Sequence, residues 1–187
     1  MTNLIRSFVA VKVSSPSVLQ RVEALQSDLR DAGLSAKFVE KENLHITLRF
    51  LGEIPPHTLE EVRNRLAKLS YHRFKIVLKG VGGFPSLDRP RVLWIGVDEG
   101  SRELSELAEL VRTSLKGVKL PEPDEEFHPH LTIARLKGPL SAGARRIIAG
   151  SADTVFGEQE VTSFSLYKST LTPRGPIYDE IARYDLP

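Results

Sequence analysis

The chain has 187 residues, of which 41% are hydrophobic and 27% are charged, and its formal net charge is only +2. Cysteine is absent, which excludes disulfides and thiolate metal sites and fits a reducing compartment. No apolar run approaches the roughly 20 residues that span a bilayer, and the N-terminus lacks the layout of a secretory signal, so we expect a cytoplasmic globular protein without membrane contact.

The first half of the chain alternates between the patterns of strands and helices. A run rich in Val and Phe predicts the first strand. Ser15 followed by Pro16 predicts the start of a helix, which Gly33 ends. Thr58 begins a sequence typical of a capping box, and Gly80 to Pro90 is rich in turn residues. We predict strands near residues 6–13, 44–51 and 73–79, and helices near 15–33 and 58–69.

The second half repeats this plan. Ser101 is the predicted cap of a helix that Gly117 closes, and the acidic segment 121–126 reads as a loop. We predict strands near residues 92–97, 129–135 and 177–184, with one or two more within 155–167, and helices near 101–117 and 144–148. Two copies of this order of strands and helices imply two similar lobes.

Two short stretches carry the same kernel, His-x-Thr, within an apolar frame. They are residues 44–48, LHITL, and residues 129–133, PHLTI. Because successive side chains of a strand point to opposite faces, His45 and Thr47 share one face, and His130 and Thr132 share one as well. Each strand can therefore bury its apolar face and present an imidazole and a hydroxyl on the other.

The spacing of the two motifs indicates an internal duplication. The two histidines lie 85 positions apart, and the same offset pairs apolar residues of the first strands and helices, such as Phe8 with Leu93 and Val22 with Leu107. We predict one bilobal domain over residues 1–187, with repeats at about 6–90 and 91–187. A pseudo-two-fold axis would place the two motif faces opposite each other across a groove.

Two opposed histidines suit general acid–base catalysis, because imidazole titrates near neutrality and one ring can be neutral while the other is protonated. The Thr47 and Thr132 hydroxyls can donate hydrogen bonds to oxygens held between the rings, and a phosphate has such oxygens. Arg135 could supply a positive charge. In a regular strand it faces away from His130, so that role requires a bulge or a strand end.

Several other residues admit a functional and a structural interpretation. His128 and Arg49 fall on the motif faces by the period of two, and Lys168 and Ser169 could line the groove. His57 and His72 are expected at the surface. The main competing chemistry is a zinc site of His45, His128 and His130. It would leave the paired threonines unexplained, so we predict no metal and no cofactor.

At these residues the sequence resembles the two-histidine (2H) phosphoesterases. The longer strings, HITLRFLG from His45 and HPHLTIAR from His128, resemble the branch of RNA 2′,3′-cyclic phosphodiesterases, also called 2′-5′ RNA ligases. Residues 6–10, 165–171 and 175–178 resemble that branch too, and the likeness covers nearly the whole chain.

The resemblance implies a bilobal α+β fold with two antiparallel sheets around a central cleft and helices outside. It implies metal-independent hydrolysis of 2′,3′-cyclic phosphate ends of RNA to 2′-phosphates. His45 would be the proton donor and His130 the proton acceptor. Thr47, Thr132 and Arg135 would bind the phosphate.

The expected substrates are RNA ends, such as those of tRNA fragments, or cyclic nucleotides, and the expected state is a monomer. The residues alone do not assign the acid and the base, nor the direction of reaction, hydrolysis or 2′-5′ ligation. A non-catalytic module that binds RNA ends or nucleotides is the alternative function.

Overall fold

The computed structural model describes residues 3–123 and 126–187, so residues 124 and 125 of the predicted acidic loop lie outside it. The helices are α1 (Pro16–Asp31), α2 (Pro56–Leu66), α3 (Ser101–Ser114) and α4 (Ala142–Ala149). The strands are β1 (Ile5–Lys12), β2 (Ala36–Phe38), β3 (His45–Ile54), β4 (Phe74–Phe84), β5 (Val92–Val97), β6 (His130–Leu136), β7 (Val155–Val161), β8 (Ser163–Thr172) and β9 (Gly175–Asp185). The predicted α+β class is confirmed.

The strands form two antiparallel sheets. The first sheet has the order β3-β1-β8-β9 and the second has the order β2-β6-β5-β4-β7. The two motif strands, β3 and β6, contact each other where the sheets meet. This contact brings the paired motifs to a shared boundary, as the sequence predicted.

Each sheet takes strands from both halves of the sequence. Strand β4 follows the first motif but lies in the second sheet, whereas β8 and β9 follow the second motif and lie in the first sheet. The helices cross over as well, since α1 packs against β6 and β7 while α3 packs against β3. The two lobes are therefore interlocked and do not correspond to successive halves of the chain.

One continuous apolar core joins the two sheets to their helices. Its fully buried side chains come from both motif strands, where Ile46 and Leu131 are completely inaccessible to solvent, and from the helices, where Val22 and Leu107 are too. The motif strands thus bury one face, as their alternation predicts, and leave the other for the cleft. Among the described residues, none of the helices is both long and apolar enough to cross a bilayer.

The structure differs from the predicted element ends at several places. Helix α2 begins at Pro56 rather than at Thr58, which is buried inside the helix, because proline fits the first helical turn. Helix α3 is capped by Gly100 in a left-handed conformation, and Ser101 is its first residue. Strand β4 continues to Phe84 through the predicted turn region, and β3 continues past Gly52.

Candidate active site

The cleft between the two sheets contains a cavity of about 420 Å³. All five residues predicted for the site line it: His45 and Thr47 from β3, and His130, Thr132 and Arg135 from β6. The structure therefore brings together side chains that lie up to 90 positions apart in the sequence.

A bulge follows the His-x-Thr kernel in each motif strand. In the pairing of β1 with β3, Val9 opposes Arg49 and Ala10 opposes Thr47, so Leu48 is the extra residue. In the pairing of β5 with β6, Leu93 opposes Ala134 and Trp94 opposes Thr132, so Ile133 is the extra residue. The two bulged residues are 85 positions apart, the same spacing as the histidines.

The bulges decide which later side chains reach the cleft, because one extra residue reverses the alternation of faces. Arg135, expected on the far side of a regular strand, is turned into the cavity. Arg49 is turned out of it and donates to the carbonyl of Pro121 at 2.9 Å, while Phe50 takes the place at the cavity wall. The prediction that Arg49 shares the motif face was wrong for this reason.

Both histidines are held by the same kind of backbone contact. The Nδ1 atom of His45 lies 2.6 Å from the carbonyl oxygen of Asn43, and Nδ1 of His130 lies 2.5 Å from the carbonyl oxygen of His128. A carbonyl oxygen only accepts, so Nδ1 carries the hydrogen in each ring. Nε2 is then the nitrogen that gains or loses a proton during a reaction.

The surroundings of His45 favour its neutral form. Its ring lies 4.9 Å from the ring of Phe8 and 5.2 Å from that of Tyr178, measured between centroids. Burial among these rings lowers the pKa of His45 below its usual 6.5, the Asn43 carbonyl opposes that shift, and the positive charges of Arg135 and His130 add to the lowering.

The cavity also contains residues that the motif analysis did not single out. Phe50 is 48% exposed although it is aromatic, and the Arg6 guanidinium lies 4.9 Å from its ring centroid. Three cations besides Arg135 line the cavity: Arg6, Lys37 and Arg174. Neither β2, which carries Lys37, nor the tight β8–β9 turn, which carries Arg174, has a catalytic sequence signature of its own.

The remaining candidate residues have mixed outcomes. Ser169 lines the cavity, but Lys168 is exposed on the other side of β8 and does not. His57 and His72 are exposed, as expected. His128 lies just before β6, and its ring lies 4.9 Å from that of Trp94, tilted by 59°, outside the main cavity.

The three histidines of the competing zinc interpretation do not form a cluster. Within residues 3–123 and 126–187, no group of three or more histidine or carboxylate side chains is placed to hold a metal ion. His45, His128 and His130 are accordingly not arranged as a three-histidine site.

Paired His-x-Thr motifs that face one cavity from two antiparallel sheets define the class of two-histidine phosphoesterases. The model of the family "LigT like Phosphoesterase" matches the chain twice, over residues 11–94 and 95–178. The chain belongs to this family.

Individual relatives agree with this assignment. The chain is 41% identical to the RNA 2′,3′-cyclic phosphodiesterase of Archaeoglobus fulgidus, over 96% of this chain and 99% of that protein. It is also 41% identical to the protein of the same name from Aeropyrum pernix, over 84% of this chain and 90% of the relative.

Solved structures have the same fold. A Thermus thermophilus protein superimposes with a TM-score of 0.78 and 32% identity over 97% of both chains. Escherichia coli LigT, crystallised with 3′-AMP, superimposes with a TM-score of 0.77 over 98% of both chains at 23% identity.

Proposed function

We propose that this protein is an RNA 2′,3′-cyclic phosphodiesterase, a phosphoric diester hydrolase that converts a 2′,3′-cyclic phosphate end to a 2′-phosphate. The observation that carries the proposal is the pair of imidazoles in one cavity, each with Nδ1 bonded to the carbonyl two residues before it. The names of the relatives described above support the same activity. A binding module has no need for two rings oriented in this way.

In the proposed reaction, water attacks the phosphorus atom and the bond from phosphorus to O3′ breaks. His130 takes the proton of the water at Nε2, and His45 gives a proton from Nε2 to the departing O3′. The assignment of donor and acceptor follows the family resemblance. Because burial favours the neutral form of His45, the negative phosphate of the substrate must raise the pKa of this ring when it binds, as a nearby opposite charge does.

The other three predicted residues act on the phosphate oxygens. Thr47 and Thr132 donate hydroxyl hydrogen bonds from the two sheets, and Arg135 adds a positive charge that the bulge at Ile133 turns into the cavity. Negative charge grows on these oxygens in the transition state, so fixed donors lower the barrier. None of these steps requires a cofactor.

The cavity walls favour an RNA end as the substrate. The exposed ring of Phe50 offers a face on which a terminal base can stack, and Arg6, Lys37 and Arg174 add positive charge along the same cavity. Ends of tRNA fragments and small cyclic nucleotides both present the required cyclic phosphate. We expect the enzyme to act as a monomer, since both motifs belong to one chain.

The test uses the purified protein with excess chelator and a 2′,3′-cyclic nucleotide, and the product is identified by phosphorus NMR. We expect the 2′-phosphate, and we expect His45→Ala and His130→Ala each to abolish turnover while His72→Ala, at the surface, does not. Full activity in either motif variant would refute the mechanism. Tight binding of a 2′-phosphate end without any turnover would instead favour the non-catalytic binding module.

We also propose that the domain arose by duplication of a unit that corresponds to about 6–90 and 91–187. The double match of one family model and the equal spacing of the two bulges support this origin. The same site can use a 5′-hydroxyl in place of water as the nucleophile, which would join RNA ends through a 2′-5′ bond.

A further inference from the structure

A second depression, of about 380 Å³, lies beside His130 on the second sheet. The pairing of the strands shows where the depression lies relative to the motif. Gly96 pairs with His130 on one side and with Lys79 on the other, and Trp94 pairs with Thr132. Residues paired directly across an antiparallel sheet share a face. The row from His130 through Gly96 to Lys79 therefore runs across the cleft face, away from His45.

The depression has a bare floor and an aromatic wall. Gly96 contributes no side chain to the floor. The six-membered ring of Trp94 lies against Gly82, where a Cβ atom would come within 2.1 Å of it. The ring of His128, which is exposed, lies 4.9 Å from the indole and 5.7 Å from the ring of His130, so the aromatic wall continues directly to the catalytic histidine.

The polar groups of the depression match the parts of a nucleotide. Lys79 is half-exposed and takes no part in the ion pairs found among the described residues, so its ammonium group can neutralise a phosphate. Asp98 and Ser101 also line the depression, and both can accept a hydrogen bond from a ribose hydroxyl. An indole face is suited to stacking with any base.

Among the described residues, the corresponding place in the first sheet is shaped differently. The residues that pair with Thr47 and His45 are Ala10 and Lys12, in place of Trp94 and Gly96. The cavity beside His45 at that position measures only about 50 Å³. Room for a second nucleoside therefore exists beside His130, the proposed acceptor of the nucleophile's proton.

We propose that the depression formed by Lys79, Trp94, Gly96, Asp98, Ser101 and His128 is an acceptor subsite, which binds the nucleotide whose 5′-hydroxyl replaces water. The inference rests on the proposed function. The 5′ oxygen attacks the phosphorus of the cyclic phosphate, and its proton passes to His130. The bond from phosphorus to O3′ breaks, O3′ takes a proton from His45, and a 2′-5′ phosphodiester results. The base then stacks on Trp94, and Lys79 contacts the acceptor's own 3′-phosphate.

The test measures this reaction in reverse. In a 2′-5′-linked dinucleotide, the 3′-hydroxyl attacks phosphorus, the bond to O5′ breaks, and the acceptor nucleoside leaves from the subsite. Three substrates are compared: a 2′,3′-cyclic mononucleotide, a 2′-5′-linked dinucleoside monophosphate, and the same dinucleotide with a 3′-phosphate on the acceptor. The readout is the ratio of kcat/KM for each linked substrate to kcat/KM for the cyclic one.

Trp94→Leu is expected to lower both ratios about tenfold, because stacking on one base is lost. Lys79→Ala is expected to lower the ratio roughly fivefold for the dinucleotide with the 3′-phosphate only. Lys75→Ala is the matched control, since Lys75 lies on the same strand but pairs with Glu99 and Glu158 at the surface, and it should change neither ratio.

Equal losses on the cyclic and linked substrates would overturn the subsite, because they would indicate a general disturbance of the site. A wild-type enzyme that hydrolyses the cyclic nucleotide but does not cleave the linked one would also overturn it. If neither substrate reacts, the proposed function itself fails and the subsite fails with it. Thermal unfolding checks each variant, and if Trp94→Leu does not fold, the Lys79 comparison alone decides.

Discussion

The bulge that turns Arg135 into the cavity is held by a buried side chain of α1. Gln26, only 6% exposed, donates from Nε2 to the carbonyl of Val39 at 2.8 Å and to that of the bulged residue Ile133 at 3.0 Å. The Val39 amide donates to the same Ile133 carbonyl at 3.0 Å. We infer that Gln26 is a positioning residue for Arg135, and that Gln26→Met removes both of its hydrogen bonds with little change of volume.

The magnitude follows from these contacts. Two buried neutral hydrogen bonds contribute a net total of about 1–3 kcal/mol, so the free energy of unfolding should fall by that amount. For a chain of this size, each kcal/mol lowers Tm by roughly 2–4 °C. Because the bulge loses one of its two anchors, kcat/KM for a cyclic nucleotide should fall roughly tenfold through misplacement of Arg135.

The assay combines urea unfolding with kinetics at a temperature where both proteins are folded. Gln20→Met, at an exposed position of the same helix, is the matched control and should change neither quantity. In a double-mutant cycle, Gln26→Met should cost much less activity when Arg135 is already alanine, because the two effects share one cause. A variant that loses stability but retains full kcat/KM would refute the link between Gln26 and Arg135.

Three further predictions concern the cleft. Burial lowers the pKa of His45 below 6.5, so as the pH falls the unfolded chain takes up a proton on this ring before the folded chain does. The free energy of unfolding should therefore decrease below pH 6.5. Urea titrations of His45→Gln should show a weaker decrease than those of the wild type. Thr132→Val should lower kcat/KM by roughly 10- to 100-fold, because a hydrogen bond to a charged group is lost. Thr170→Val, at the surface of β8, is the control and should leave kcat/KM unchanged. Equal kcat/KM values for the two variants would contradict the proposed role of Thr132. Gly82→Ala should lower the free energy of unfolding by about 1–3 kcal/mol and displace Trp94, the only tryptophan, so that an unchanged fluorescence spectrum would contradict the packing described here.

The alternation of the motif strands was sufficient to predict four of the five candidate residues. His45, Thr47, His130 and Thr132 lie within one regular stretch of strand each, so a period of two places them correctly. The prediction failed one step later along β3, where the bulge at Leu48 turns Arg49 away. Arg135 was expected to face His130 only if a bulge or a strand end came before it, and the structure has that bulge in β6.

Other features depend on contacts that no local pattern reports. The cavity cations Lys37 and Arg174 come from a three-residue strand and a hairpin turn, and only the strand order brings them beside the motifs. The offset of 85 residues that relates Phe8 to Leu93 is off by one in the structure. Val9, not Phe8, opposes Arg49, and Leu93 opposes Ala134, which lies 85 positions after Arg49. The spacing between equivalent residues of the two repeats thus changes by one from strand to strand, and only the pairing of the strands reveals this change.

The exchange of strands between the sheets determines what proteolytic cleavage of the chain would do. The exposed segment after β4, residues 86–89, connects two halves that each supply strands to both sheets. A protease that cleaves this loop leaves two fragments that remain joined by the backbone pairing of β1 with β8, of β2 with β6, and of β4 with β5 and β7, whereas neither fragment alone possesses a complete sheet. The halves should therefore act as complementing fragments, inactive apart and active when they refold together.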